Sequence, residues 1–411
     1  MKNLKLMTLC AGAALTMLSS CKKDSENAVK EPETPTAESF VKTGEEGDTV
    51  LKYNDKDVKL FELSNASGMK VKITNFGGRI VSLLVPDKDG NLKDVVLGFD
   101  TAQEYFPENN ATDFGASIGR YANRLNQGKI VCDGDTIQLP KNNYGHCLHG
   151  GPTGWQYQVY DGNQLNDSTL ELTLVSPDGD NNFPGEVTAK VTYTLTSDNA
   201  VEIQYEATTD KETVINMTNH SYFNLSGDPN NTILDEELTI DADGYTPVDS
   251  TFMTTGEIRP VEGTAFDFRK AKKIGQDIDS VSDVQLLYAR GNSDIVPADK
   301  GGYDHNWVLN TKGDQTKPCV WLFDPRTCIL LTVYTNEPGI QIYTGNFQDG
   351  TIKGKQGITY TRQCAICLET QKYPDSPNKP EWQAESNAYL KPGEVYKSYC
   401  KFQFSVEKKA E

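Results

Sequence analysis

Along much of this chain, apolar and polar side chains alternate with a period of two. From Glu186 to Leu195 the alternation is unbroken: Val187, Ala189, Val191, Tyr193 and Leu195 fall on one face and Glu186, Thr188, Lys190, Thr192 and Thr194 on the other. A polar turn around Ser197-Asp198-Asn199 follows, and Val201, Ile203, Tyr205 and Ala207 then alternate again, which predicts a hairpin with one buried face. Val71, Ile73 and Asn75 open a similar strand, and Asp89-Gly90 marks a turn before a strand at Val95-Val96-Leu97. No long stretch carries a helical period. Short strands between closely spaced turn signals favour an antiparallel sandwich over a parallel α/β sheet. The expected fold class is therefore all-β, a large antiparallel β-sandwich. No repeat or linker divides the alternating region, so residues 49–411 read as one domain, above the usual size of a single core.

The N-terminus follows a different pattern. Lys2 and Lys5 precede an apolar run from Leu6 to Leu18, and Ser19-Ser20-Cys21 comes next, as in a bacterial export signal. The run is shorter than the ~20 residues a membrane span needs. Leu18-Ser19-Ser20-Cys21 also matches a lipobox, whose cysteine is lipidated and becomes the first residue of the processed chain. Residues 1–20 are expected to be a lipoprotein signal peptide and Cys21 the lipidation site. Residues 21–48, rich in Glu, Lys, Pro, Ser and Thr, are expected to be a flexible polar tether with an average reach of roughly 30 Å. The expected location is outside the cytoplasm, anchored to a bacterial membrane and facing the periplasm or the cell surface. The formal net charge of −18 becomes −20 once Lys2 and Lys5 are removed, which argues against nucleic acid and anionic lipid surfaces as partners. The only membrane contact expected is the anchor. Seven cysteines remain beyond Cys10 and Cys21, an odd number scattered through apolar strands, which is not a disulfide framework and leaves at least one free thiol.

Six short motifs hold the candidate chemistry: Ala122-Asn123-Arg124-Leu125, Leu148-His149-Gly150-Gly151, Thr218 to Leu225, Tyr303-Asp304-His305-Asn306, Pro338 to Asn346, and Leu368-Glu369-Thr370-Gln371. Alternation places Glu369 with Ala365, Cys367 and Gln371, opposite Ile366 and Leu368, so it lies at a ligand groove or at a strand end. Burial raises a glutamate above its usual ~4.3 and suits it to act as a base. His220, between Asn219 and Ser221, is the residue type most easily poised near pH 7, with neighbours available to set its tautomer; a buried structural histidine is the rival reading. His149 lies in a glycine-rich turn that lets the backbone approach a ligand. A metal site built from His146, Cys147 and His149 lacks a second ligand cluster. Asn123 and Arg124 offer donors to hydroxyls, though Arg124 also fits a surface ion pair. Asp304 fits an acceptor for two vicinal hydroxyls or a turn residue. Gln341 shares a face with Tyr343, and Tyr222 and Trp155 offer an apolar ring face or belong to the core. Cys364 and Cys367, three positions apart in a strand, are expected on opposite faces as core thiols rather than as a redox pair.

In their order and spacing these motifs resemble the aldose 1-epimerase family, also called galactose mutarotases, from about Phe61 to about Phe404. The resemblance implies one many-stranded antiparallel sandwich with an open groove on a sheet face. It implies interconversion of the α and β anomers of free hexoses such as glucose and galactose, with no cofactor or metal. It aligns Glu369 with the catalytic base and His220 with the general acid, and makes His149 a second active-site histidine near the ring oxygen. It gives Asn123, Arg124 and Asp304 substrate-binding roles and sets Gln341 close to the base; His146 and His305 are left structural. Three other functions compete. An epimerase of phosphorylated sugars needs an Arg/Lys cluster, for which Arg120 near Arg124 is the only hint. A lipid-anchored carbohydrate-binding protein without catalysis would lack the acid or the base. A glycoside hydrolase needs two carboxylates flanking the bond, and the resemblance assigns Asp304 to binding.

Overall fold

The alternating segments stack into two layers of antiparallel sheet in the computed structural model, which describes residues 31–42 and 50–407. The larger sheet has nine strands, in the spatial order 161–166, 169–176, 187–195, 200–209, 396–406, 329–335, 318–323, 237–240 and 272–273. The predicted hairpin lies within it, with Leu195 opposite Val201 and every second residue of Val187–Leu195 buried. Facing this sheet are a four-stranded sheet (60–64, 70–74, 79–86, 92–94) and a six-stranded one. The apolar core fills the space between the layers. Val191, Tyr193, Val333 and Phe402 enter it from the large sheet and Ile73, Leu83, Trp307, Ile340 and Leu368 from the facing sheets.

Six strands frame the functional region: β1 (Ala116–Ile118), β2 (Thr218–His220), β3 (Tyr222–Phe223), β4 (Asp304–Val308), β5 (Gly339–Tyr343) and β6 (Ile366–Gln371). In the six-stranded sheet β3, β6, β5 and β4 are successive neighbours, while β2 pairs with β1. The expected strand at Val95–Leu97 is instead a crossing segment. The strand before it ends at Asp94, Val96 makes a single bridge to Phe223, and the Leu97 amide donates to the Tyr222 carbonyl at 2.9 Å.

The tether expectation does not hold for residues 31–42, which pack on the domain. Helix α1 (Ala37–Phe40) is capped by Thr36, whose hydroxyl accepts from the Ser39 amide. Phe40 is fully buried, its ring centroid 6.0 Å from that of Tyr105. Lys72 Nζ donates to Thr34 Oγ1 and the Pro35 carbonyl, both at 2.7 Å. Phe40 is the only aromatic residue between 21 and 48, and burying its ring supplies what the rest of that polar run cannot. The export signal and Cys21 lie outside the described residues. Among the described residues no helix is long and apolar enough to cross a membrane, and all seven cysteines are free.

Candidate active site

Register brings the polar residues of three strands together. Gln341 on β5 lies opposite both Asn306 on β4 and Glu369 on β6, and Asp304 lies opposite Tyr343. Ile340, Ile342 and Leu368 point into the core, so alternation turns Gln341, Tyr343 and Glu369 to the outer face. There Gln341 Nε2 donates to Asp304 Oδ1 at 2.7 Å. Strand β2 brings His220 alongside, with Nε2 3.5 Å from Glu369 Oε1 and both side chains buried. The Tyr222 ring stacks on His220 at 5.1 Å and 23°, and His149 meets His220 edge-on at 5.2 Å.

Loops complete the wall. His149, Gly150 and Gly151 have φ of 51°, 78° and 95°, and a Cβ on Gly150 would lie 2.2 Å from the Gly119 carbonyl oxygen, so only glycine fits there. The Asn123 amide donates to His149 Nδ1 at 3.1 Å. A backbone N–H is always a donor, so Nδ1 is the acceptor and the neutral ring carries its proton on Nε2. Arg124 donates from Nε to Asn143 Oδ1 at 3.0 Å and lies over the Phe252 ring at 4.7 Å.

These residues enclose a cavity of about 520 Å³, and Asn123, Arg124, His149, His220, Tyr222, Asp304, Gln341 and Glu369 all line it. The wall also includes Asp113, Asn143, Tyr144 and Phe347, which the sequence reading did not nominate. Asp113 closes a polar Asn-rich stretch that reads only as a turn, whereas Phe347 follows the fifth motif directly and could have been found there.

Other nominated residues lie elsewhere. Trp155 belongs to the core between the sheets. Arg120 is buried and donates to the Pro184 and Gly185 carbonyls and to Ser176 Oγ, so it supplies no phosphate site. His146 accepts from the Gln127 amide and pairs with Thr251 Oγ1, and His305 pairs with Gln285; both are structural. Asn219 and Ser221 do not set the His220 tautomer: Asn219 is bonded to the Gly115 carbonyl and the Ser221 amide, and His220 Nδ1 has no partner among the described residues. Cys364 and Cys367 pack in one cluster rather than on opposite faces, because β6 begins only at Ile366 and alternation does not reach back to Cys364.

Burial dominates the electrostatics. It raises the Glu369 carboxyl well above its ordinary range, with further upward pushes from Asp304 and Asp113. It lowers His220 to about 4, so this histidine is not poised near neutrality as its residue type suggested. His149 is lowered well below the usual imidazole value by burial and by the neighbouring His220 and Arg124. Burial raises Asp304 too, against the pull of Arg124 and the Gln341 hydrogen bond. Burial therefore favours the proton on Glu369 over His220. Two groups of side chains bring metal-type ligand atoms within 4.8 Å of one another: Asp113, His149 and His220, and His220, Cys367 and Glu369. The first does not fit a divalent cation, because one His149 nitrogen accepts from an amide and the other carries a proton. In the second, burial raises the Cys367 thiol and the Glu369 carboxyl, against the deprotonated forms a cation needs.

Residues 59–403 match the family model described as aldose 1-epimerase. The chain belongs to the aldose 1-epimerase family. It is 40% identical to the galactose mutarotase of Mus musculus over 349 residues, covering 85% of this chain and 94% of the relative. The aldose 1-epimerase of Escherichia coli K12 is 37% identical over 85% of this chain and 96% of its own length. Two crystal structures share the fold. An aldose epimerase homologue from C. elegans superposes with a TM-score of 0.75 at 29% identity, covering 85% of this chain and 100% of its own. A galactose 1-epimerase from Lactobacillus acidophilus gives 0.73 at 30% identity, covering 87% and 97%. The antiparallel sandwich expected from alternation is thus the architecture of this epimerase family.

Proposed function

We propose that this aldose 1-epimerase interconverts the α and β anomers of free hexoses such as glucose and galactose, with Glu369 as base and His220 as acid. The observation that carries the reading is the 3.5 Å approach of His220 Nε2 to Glu369 Oε1 in the cavity wall. With the sugar ring closed, a Glu369 carboxylate takes the proton from the C1 hydroxyl while the His220 imidazolium gives one to the ring oxygen. The bond between C1 and the ring oxygen breaks and C1 becomes a carbonyl. Glu369 is now protonated and His220 neutral. Rotation about C1–C2 presents the other carbonyl face, and the two proton transfers run backwards to close the ring.

The proton distribution that burial favours, on Glu369 and off His220, is the one this cycle reaches with the sugar open. Burial thus favours the midpoint of the reaction. The Nε2–H of His149 and the Asn123 and Arg124 donors suit the ring and hydroxyl oxygens. Asp304, held by Gln341, suits two hydroxyl protons, and Tyr222 an apolar sugar face. The Leu18-Ser19-Ser20-Cys21 motif supports export and lipidation at Cys21, which would put the enzyme on sugars outside the cytoplasm before uptake.

Polarimetry of freshly dissolved α-D-glucose and α-D-galactose tests the reading. The protein is expected to speed the change of rotation, and Glu369→Gln and His220→Asn each to lower kcat by about 10²–10⁴-fold, the usual worth of a positioned acid or base. A wild-type protein that binds sugar without speeding the change would make it a binding protein.

A further inference from the structure

The cycle above leaves Asp113 without a part, although it stands in the cavity wall. One of its carboxylate oxygens and one ring nitrogen each of His149 and His220 lie within 4.8 Å of one another. The surrounding backbone is firmly held. Arg79, fully buried, donates from one guanidinium nitrogen to the Thr112 and Phe114 carbonyls, both at 3.0 Å, and from another to the Gln156 carbonyl at 2.8 Å. The Gly115 amide donates to the His220 carbonyl at 3.0 Å, and Ala116 pairs with His220 across β1 and β2. Gly115 has φ of 70°, and a Cβ there would fall 2.0 Å from the Ile80 carbonyl oxygen, so the close approach requires glycine. Asp113 Oδ1 and His220 Nδ1 are both buried with no hydrogen-bond partner among the described residues.

We propose that Asp113 is a positioning residue whose carboxylate stabilises the imidazolium form of His220, so that the proton needed for ring opening stands on His220 when a closed sugar arrives. The inference rests on the acid and base roles proposed above. Burying a charged imidazole is unfavourable, and an anion within about 5 Å offsets that cost. Of the two rings beside Asp113, only His220 can take the charge. Protonating His149 on Nδ1 would break its bond from the Asn123 amide. The other titratable groups around the pair are Arg79, Arg124, Tyr157, Tyr222, Cys367 and Glu369. The guanidiniums oppose an imidazolium, burial keeps the tyrosines and the thiol neutral, and Glu369 is the proton's other site. Asp304 bears on Glu369. Burial raises Asp113 itself to about 6, partly countered by Arg79, so it is an anion at higher pH and neutral below.

The test is kcat and KM for mutarotation by wild type and Asp113→Asn from about pH 5 to about pH 9, with melting temperatures alongside. Wild-type kcat is expected to fall as pH drops through about 6, where Asp113 gains a proton. In Asp113→Asn that limb should vanish, and kcat near neutrality should drop about tenfold or more, the worth of one unit in the His220 pKa. KM should stay within about twofold. A variant with wild-type kcat, or one losing only KM with its pH profile unmoved, overturns the proposal and would make Asp113 inert or a sugar contact. If the variant does not fold, a wild-type kcat that is flat across pH 6 overturns it equally. An inactive wild type would overturn the acid–base reading and this one together; an active wild type with an unresponsive variant overturns this one alone.

Discussion

Glu369 pairs a functional need with a structural cost, and pH separates the two. Its carboxyl is 2% exposed and burial raises its pKa well above the ordinary value, so the folded protein resists its ionisation while the unfolded chain does not. A group whose folded pKa is raised contributes stability that is fully present below its unfolded pKa and is lost as pH rises through the folded one. The loss accrues at about 1.4 kcal/mol per pH unit across that window. Glu369→Gln keeps the shape and removes the titration. The variant is therefore expected to melt above wild type near neutral pH, by a margin that closes as pH falls toward the unfolded value of about 4.5. Thermal melts at a series of pH values check this, and a margin independent of pH would mean that Glu369 titrates normally. The gain in stability would accompany the loss of activity predicted above, as expected where a site is strained for function.

At the scale of elements, what was legible in the sequence was what alternation encodes. The hairpin 187–209 and the outward turn of Glu369 follow from a period of two, because each strand residue's face is fixed by its neighbours. Asp113 could not be read that way. It is a loop residue whose setting depends on Arg79 and on β1 pairing with β2, contacts made by distant parts of the chain. The low pKa of His220 escaped for the same reason, since it depends on how many layers cover the ring. Residues 31–42 escaped because one aromatic in a polar run does not reveal what it will meet. Phe40→Ala tests that docking directly. Truncating a fully buried phenylalanine costs about 3–5 kcal/mol, so the melting temperature should fall by several degrees or more while kcat at room temperature stays near wild type. A variant that melts with wild type would return the segment to the tether expected from its composition.

The whole molecule is strongly acidic, and this decides how it can meet a membrane. The formal net charge of −18, or −20 on a chain processed at Cys21, offers no attraction to an anionic bilayer, and no described helix is long and apolar enough to cross one. A lipid on Cys21 would then supply all of the attachment, at about 0.8 kcal/mol per buried CH₂. The docking of residues 31–42 also shortens the link. Ten residue steps separate Cys21 from Glu31, and even fully extended they span at most about 35 Å, so a lipid on Cys21 would hold the domain within that distance of the lipid surface. Cell fractionation distinguishes the two forces. The full chain is expected to sediment with membranes, to stay there at about 1 M salt, where exposed charges are screened within ~3 Å, and to come off in detergent. Cys21→Ser should be soluble even at low salt. If that variant remains on membranes and salt releases it, charge rather than lipid holds the protein, and the lipobox reading fails while the sugar chemistry stands.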